Sequence, residues 1–293
     1  MNPNVLDLGA SLYVPLNKVN LSKLFNEFSF IKSVIIDCED SITDNQLLEF
    51  DRIINDQLWE KNSNILFKNK LIFLRVRDSS HFLEIKKSKY KSSFDGFVLP
   101  KFSHKNAQLY CENIEPNDKI MPVLETFIYE QGDLDKTYNF IDQIKNTVVC
   151  TRIGANDILG YLGLRRPNNT IIYNHPLFSK CFTDIYFRST SLNLPVSGPV
   201  FDFFSNDKKS LLELEVEFEK EMGIYTKSAI HPNQVEFIQN LYKITKDELD
   251  CSNKVLNISN AVASHNEVMI EKTTHTKWAN SIKNRHHIYG VKK

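Results

Sequence analysis

The sequence predicts an α/β fold: a (β/α)8 TIM barrel followed by a C-terminal helical extension. Three observations carry that expectation. Eight short apolar runs, many of them β-branched, recur between residues 11 and 230 and alternate with longer amphipathic stretches. That alternation builds a parallel sheet wrapped in helices. Two of the runs lead into acids, Glu125 and Asp157, and barrels of this kind place their chemistry at the carboxyl ends of the strands. The chain has 293 residues against about 250 for a typical barrel, which leaves room for a tail.

The strands are expected at residues 11–15, 33–37, 71–77, 96–100, 120–125, 147–153, 195–200 and 225–230. Among the intervening segments, 43–62 and 207–222 have the spacing of amphipathic helices. The second sets Leu211, Leu212, Leu214, Val216 and Phe218 among acids and lysines. Ser205, Asn206 and Asp207 offer side-chain oxygens to its amino terminus. The first strand runs into Pro15-Leu16-Asn17-Lys18 without a glycine, so the glycine-rich turn of a dinucleotide-binding sheet is missing. Beyond about residue 233 the pattern changes to helix and loop, with helical periods over 235–246 and 247–268. The end is basic and aromatic (His275, Trp278, Arg285, His286, His287, Tyr289). The expected division is a catalytic barrel over residues 1–234 and an extension with tail over 235–293.

Lys plus Arg equals Asp plus Glu at 36 each, so no overall field draws in nucleic acid or an anionic membrane, and neither is expected as a partner. Five scattered cysteines without a C-x-x-C pair argue against a disulfide scaffold and a structural zinc site. The amino-terminal segment lacks the pattern of a signal peptide. No run approaches the roughly 18 apolar residues of a membrane span. The expectation is a soluble, cytoplasmic protein.

The chemistry concentrates in a few segments. Glu125 and Asp157 supply hard oxygen donors suited to one Mg²⁺. Asp37-Cys38-Glu39-Asp40 crowds three acids into four residues. The segment is either a solvated turn with a helix cap, or places Glu39 and Asp40 to order metal-bound water or a basic partner. Strand alternation sets Arg75 and Arg77 on one face, where they either grip a substrate carboxylate or pair with the preceding acids. Lys101 closes its strand as a neutraliser of neighbouring acids or a Schiff-base former. Only 8 of the 36 basic residues are arginine, and Arg75, Arg77, Arg152, Arg165 and Arg166 fall in two short segments, as expected of a planar fork reserved for carboxylate or phosphate. Gly154 lets the backbone turn close to a ligand. Arg165 and Arg166 are either a distal anion site or a solvated pair. His231, before a proline, reads as a hydrogen-bonded structural residue or an acid/base group.

Taken together, Leu12-Tyr13-Val14-Pro15, Ile36-Asp37-Cys38-Glu39-Asp40-Ser41, Leu74-Arg75-Val76, Asp95-Gly96-Phe97-Val98-Leu99-Pro100-Lys101, Leu124-Glu125-Thr126, Gly154-Ala155-Asn156-Asp157 and Ala229-Ile230-His231-Pro232-Asn233-Gln234 resemble the HpcH/HpaI aldolase and citrate lyase β-subunit superfamily of (β/α)8 carbon–carbon lyases. The tail and the loop Gly163-Leu164-Arg165-Arg166 look like a branch associated with tellurite-resistance-type gene clusters. The resemblance implies Mg²⁺ held by Glu125 and Asp157, with Arg75, Glu39 and Asp40 as catalytic or supporting groups. It also implies that Arg75 binds the substrate and that the protein is a homo-oligomer, trimer or hexamer; from the residues themselves Arg77, Lys101, Arg152 and Gly154 are expected to join Arg75 as substrate contacts, although Arg77 departs from the family's pattern. The implied reaction is Mg²⁺-dependent aldol- or Claisen-type cleavage or formation of a carbon–carbon bond in a keto-acid or acyl thioester, through a metal-stabilised enolate. Pro15-Leu16-Asn17 stands where coenzyme-A-using relatives commonly have a glycine-containing turn and basic residues, which counts against a coenzyme A thioester. Acyl-thioester hydrolysis on the same metal site, or a barrel that binds a metabolite without turnover, are the alternatives.

Overall fold

The computed structural model describes residues 5–61, 67–126 and 132–292, apart from the side chains of residues 58–61. Met1–Asn4 of the amino-terminal segment, Asn62 at the end of the stretch 43–62, and Lys293 at the end of the extension lie outside the described residues. The chain divides into two compact units, Met1–Glu236 and Phe237–Lys293.

In the first unit, seven parallel strands form one sheet in the order β6-β5-β4-β3-β2-β1-β7. They are β1 (Ala10–Pro15), β2 (Ser33–Asp37), β3 (Leu71–Arg75), β4 (Gly96–Leu99), β5 (Ile120–Leu124), β6 (Arg152–Ile153) and β7 (Lys227–Ala229). The helices, in chain order, are α1 (Val5–Leu8), α2 (Leu21–Glu27), α3 (Asp44–Leu47), α4 (Phe50–Lys61), α5 (Ser79–Lys87), α6 (Ala107–Cys111), α7 (Asp133–Ile144), α8 (Ala155–Tyr161), α9 (Pro176–Ser191) and α10 (Lys209–Glu221), and the division at Glu236 falls within α11 (Pro232–Leu241). From β1 to β6 each strand returns through a helix to lie parallel beside the last, and β7 pairs with β1 on its other side. The interior of the sheet is apolar, built on Leu8, Ile35, Phe73, Val98, Met121 and Val149.

One expected strand did not form. Residues 195–200 make only isolated parallel bridges, Thr151 with Val196 and Gly198 with Lys227, and these carry the ring across the gap between β6 and β7. Pro195 and Pro199 have no N–H to give a ladder, and Gly198 adds no side chain to it, so regular pairing cannot extend. Two other expectations shorten. Residues 71–77 stop pairing as a strand at Arg75. Residues 147–153 keep only Arg152–Ile153, because Val148 pairs with Ile120 while Arg152 pairs with Val123. Four steps on one strand against three on the other make a bulge, which bends the strand and re-aims its side chains.

A sealed cluster of charge lies inside this unit. Lys227 is fully buried and pairs with Glu215 at 3.0 Å and with Glu219. Arg166 pairs with Glu215 at 2.6 Å, and the Tyr173 hydroxyl donates to Glu219 at 2.9 Å. A Cβ at Gly198 would land 2.5–2.6 Å from the Glu219 carboxylate. Burial lifts Glu219 to about 7 despite its lysine partner.

The second unit holds α12 (Lys246–Asn257), a hairpin of β8 (Val262–His265) with β9 (Val268–Glu271), and α13 (Lys272–Tyr289). Thr245 and Glu248 close a capping box at the start of α12. Val255, Ile258, Ile270 and Ala279 form its core. The hairpin corrects the helical period expected over 247–268. Its turn places Asn266 and Glu267 at φ +47° and +66°, the left-handed pair that two-residue hairpins need, supplied here by Asn-Glu in place of the usual Asn-Gly.

Candidate active site

The register of β2 against β3 pairs Asp37 directly with Arg75. From that pairing grows the charged rim of a cleft of about 800 Å³ at the carboxyl ends of the strands. Arg75 meets Asp37 at 3.6 Å, Asp40 at 3.6 Å and Glu39 at closer range. The Lys101 ammonium joins Glu39, reaches Asp40 at 3.1 Å and lies 3.8 Å from Asp157. Lys101 is left-handed at φ +48°, an uncommon state for a lysine. The turn lets its backbone N–H donate to Glu125 Oε1 at 2.7 Å while its side chain turns to Glu39.

Glu125 is 1% exposed, and its Oε2 has no hydrogen-bond partner among the described residues. Gly154 closes over it: a Cβ there would overlap the carboxylate, so only glycine leaves Glu125 its place. Burial first, then the charge of Asp157, raises Glu125 to about 8. Burial and the adjacent Asp40 push Glu39 up to about 7. Asp157, in the first turn of α8, is one-third exposed and faces the same cleft. These observations fit a divalent cation. A buried oxygen lacks a donor, and among the described residues Asp37, Glu39, Asp40, Glu125 and Asp157 have Arg75, Lys101 and Arg152 as the cations near them. Among the described residues no group of three or more His, Cys, Asp or Glu forms a metal site, so an ion held by Glu125 and Asp157 takes its remaining ligands from water or substrate, as Mg²⁺ commonly does.

Arg152 sits at the floor. It is 1% exposed and donates to Ser11 at 2.8 Å, Ser228 at 3.0 Å and Ser197 at 3.5 Å. Its Nε donates to Met121 Sδ at 3.2 Å, and among the described residues it makes no ion pair. Tyr13 lies between the two arginines, its ring 6.0 Å from the Arg75 guanidinium and 5.7 Å from that of Arg152.

Arg75, Glu39, Asp40, Lys101, Arg152, Gly154, Glu125 and Asp157 are therefore brought together. Arg77 is not. Once β3 ends at Arg75, the chain turns and Arg77 binds the carbonyls of Glu39 and Ile42 and the carboxylate of Asp44, which corrects its expected place on the substrate face. His231 stacks on Phe204 with ring centroids 5.6 Å apart and accepts from the Asn233 N–H, a structural use. Sequence reasoning passed over Asp202 and Asn156 as a pair: they line the cleft and bond each other at 2.8 Å. The available signal was a single acid amid Phe201, Phe203 and Phe204.

Residues 2–291 match the family model described as carbon–carbon bond lyase of the TIM-barrel fold. No curated protein matches the chain. Among solved structures, a citrate lyase from Burkholderia xenovorans is similar with a TM-score of 0.73 and 14% identity, covering 97% of this chain and 93% of that one. CitE from Mycobacterium tuberculosis, in complex with magnesium, acetoacetate and coenzyme A, gives 0.65 and 16%, covering 95% and 98%. The citrate lyase beta subunit of the same organism, complexed with oxaloacetate and magnesium, gives 0.55 and 15%, covering 81% and 98%.

Proposed function

The chain belongs to the carbon–carbon bond lyases of the TIM-barrel fold, and we propose that it cleaves or forms a carbon–carbon bond beside the carbonyl of a 2-oxo acid with Mg²⁺ at Glu125 and Asp157. The observation that carries this reading is the buried, unpartnered Oε2 of Glu125 facing a cleft in which carboxylates outnumber cations. Similar structures bind magnesium with oxaloacetate or acetoacetate, which supports the same class of ligand here.

Bound at these two carboxylates, the ion would supply a Lewis acid for the carbonyl oxygen. The protein's own groups do the rest. Arg75, held rigid by Asp37 and Glu39, and Arg152, fixed by three serines, present preorganised positive charge where the electron pair of the breaking bond arrives. One such donor contributes roughly 3–4 kcal/mol. Glu39, near 7, exchanges a proton at neutral pH, and half-exposed Asp40 beside it connects that proton to solvent. Lys101 holds both acids in place and, through its backbone, orients Glu125. Cleavage itself generates the enolate, so no strong base is required in that direction.

A free 2-oxo acid is preferred over a coenzyme A thioester because β1 ends in a short turn, Leu16–Lys18, in place of a glycine loop. Assembly as a trimer or hexamer in the cytoplasm, with residues 1–234 as the catalytic region, belongs to the same reading, and sedimentation measures the first part. The deciding experiment is Mg²⁺ calorimetry on wild type and Glu125→Gln, with and without pyruvate, oxaloacetate or glyoxylate. Binding that needs Glu125 and tightens with a 2-oxo acid supports the lyase. No metal binding in any condition overturns it and favours a barrel that binds a metabolite without turnover. Product analysis separates carbon–carbon cleavage from thioester hydrolysis.

A further inference from the structure

Beside the active-site cleft lies a second hollow of about 720 Å³, bordered by Leu164, Arg165, Asn168 and Phe203. The two hollows share Asn156, Gly160 and Asp202 as a common lip. We propose that the second hollow is a subsite for an anionic group at the far end of an elongated substrate, with Arg165 as its recognition residue. The inference rests on the 2-oxo acid reading of the first cleft and extends it to substrate class.

Three observations carry it. First, Arg165 is exposed and makes no hydrogen bond or ion pair with the described residues, yet it stands on a fixed base. Its neighbour Arg166 is buried against Glu215 at 2.6 Å, the Val200 carbonyl at 2.5 Å and Asp202 at 3.2 Å. Of the two adjacent arginines, one anchors the loop and the other is left to bind. A planar fork on a rigid support is the arrangement that holds carboxylate or phosphate.

Second, the charge is cationic where the ligand would lie. Asp202, the acid on the lip, is neutralised by Arg166 and accepts from Asn156. Lys208 adds another cation, bonding the Asn168 carbonyl and lying 5.5 Å from the centre of the Phe203 ring.

Third, the lip is kept low at a position where packing does not ask for it. Gly160 lies inside α8, where glycine is less favourable than alanine by about 1 kcal/mol. A Cβ there would meet nothing within 4 Å, and its backbone is not left-handed. The missing side chain keeps low the lip that the hollow of Asp157 shares with the hollow of Arg165. Two adjoining hollows of this size exceed what pyruvate fills; ordinary small-ligand sites run from about 300 to 1,000 Å³.

The test measures binding of paired 2-oxo acids of increasing length, with and without a terminal carboxylate (2-oxoglutarate with 2-oxopentanoate, 2-oxoadipate with 2-oxohexanoate), alongside pyruvate. Each is titrated in Mg²⁺ into wild type, Arg165→Gln and Gly160→Leu. The expected result is a preference of about tenfold or more for the longer dicarboxylate, abolished by Arg165→Gln without change in the affinity for pyruvate. Gly160→Leu is expected to exclude the long acids and retain pyruvate. Inorganic phosphate that competes with the long dicarboxylate and spares pyruvate would mark the far group as a phosphate rather than a carboxylate. Equal affinity for both members of every pair, or a preference that survives Arg165→Gln, overturns the subsite while leaving the lyase reading intact. Failure of wild type to bind even pyruvate overturns the reading beneath it.

Discussion

The barrel unit contains two clusters of buried charge that are balanced differently. Around Lys227 the set is sealed: Lys227 and Arg166 face Glu215 and Glu219, every one of these side chains is at most 2% exposed, and Arg166 also reaches Asp202 at 3.2 Å. Around Glu125 the set is open to a cleft, and among the described residues Asp37, Glu39, Asp40, Glu125 and Asp157 stand against Arg75, Lys101 and Arg152. The first cluster balances two cations against two acids inside the unit, as a buried network must to be tolerated, although Glu219 Oε2 has no donor among the described residues. The second leaves negative charge over in a cleft that a ligand can enter. Incomplete compensation in a cleft is where binding and catalysis concentrate.

The contrast predicts separate consequences. The largest lie in the open cluster: Asp157→Ala or Glu125→Gln should abolish Mg²⁺ binding in calorimetry and lower turnover of the identified substrate by about 10³-fold or more, several kcal/mol of transition-state stabilisation. Circular dichroism should show the fold retained. In the closed cluster, Lys227→Met should do the opposite. It leaves two buried acids with one fewer partner and should destabilise by about 3–5 kcal/mol, a fall in Tm of about 10 °C at roughly 2–4 °C per kcal/mol. Mg²⁺ affinity of the folded protein should be unchanged. If Lys227→Met weakens metal binding as much as Glu125→Gln does, the two clusters are not separate.

The pH dependence sharpens the same contrast. Glu125 is raised from 4.5 to about 8, so the folded state favours its protonated form. Its contribution to stability is full below about 4.5 and is lost as the pH rises through 8. Glu125→Gln should therefore raise Tm relative to wild type at pH 8 and have little effect at pH 4.5, as thermal melts at the two values would show. Metal binding requires the ionised acid, so Mg²⁺ affinity of wild type should climb up to about pH 8 and release a proton. The smallest effect is expected at the closed cluster's packing: Gly198→Ala presses on the Glu219 carboxylate and should cost about 1–3 kcal/mol, readable as a lower midpoint in urea.

Much of the barrel was legible because period and strand ends survive in sequence. Glu125, Asp157, Arg75 and Lys101 each close a strand or open the helix after it, and the parallel register brings such positions to one rim. What escaped notice was set by local backbone geometry. Arg77 shares alternation with Arg75, but the strand stops between them, and no periodicity marks that stop. Residues 195–200 look like a strand until two prolines and a glycine remove the ladder. The hairpin of the second unit was hidden because Asn266-Glu267 adopts a turn for which glycine is the usual signal. Arg165 and Arg166 were indistinguishable as a dipeptide; only Glu215, distant in sequence, decides which of them is buried.

The weak place in the ring is the segment around Val196 and Gly198. Its pairing rests on a few amide bonds, Thr151 and Ser197 on one side and Gly198 and Ser228 on the other. Those same residues frame Arg152, whose guanidinium leans on Ser197 and Ser228. A stave so thinly fastened is where the wall parts most readily, and the group at stake when it parts is the cationic floor of the cleft. The pairing is thus fuller between β4 and β5, which lead into Lys101 and Glu125, than behind the arginine. Small displacements of the seam would retune the depth of the positive charge while leaving the acids where they stand.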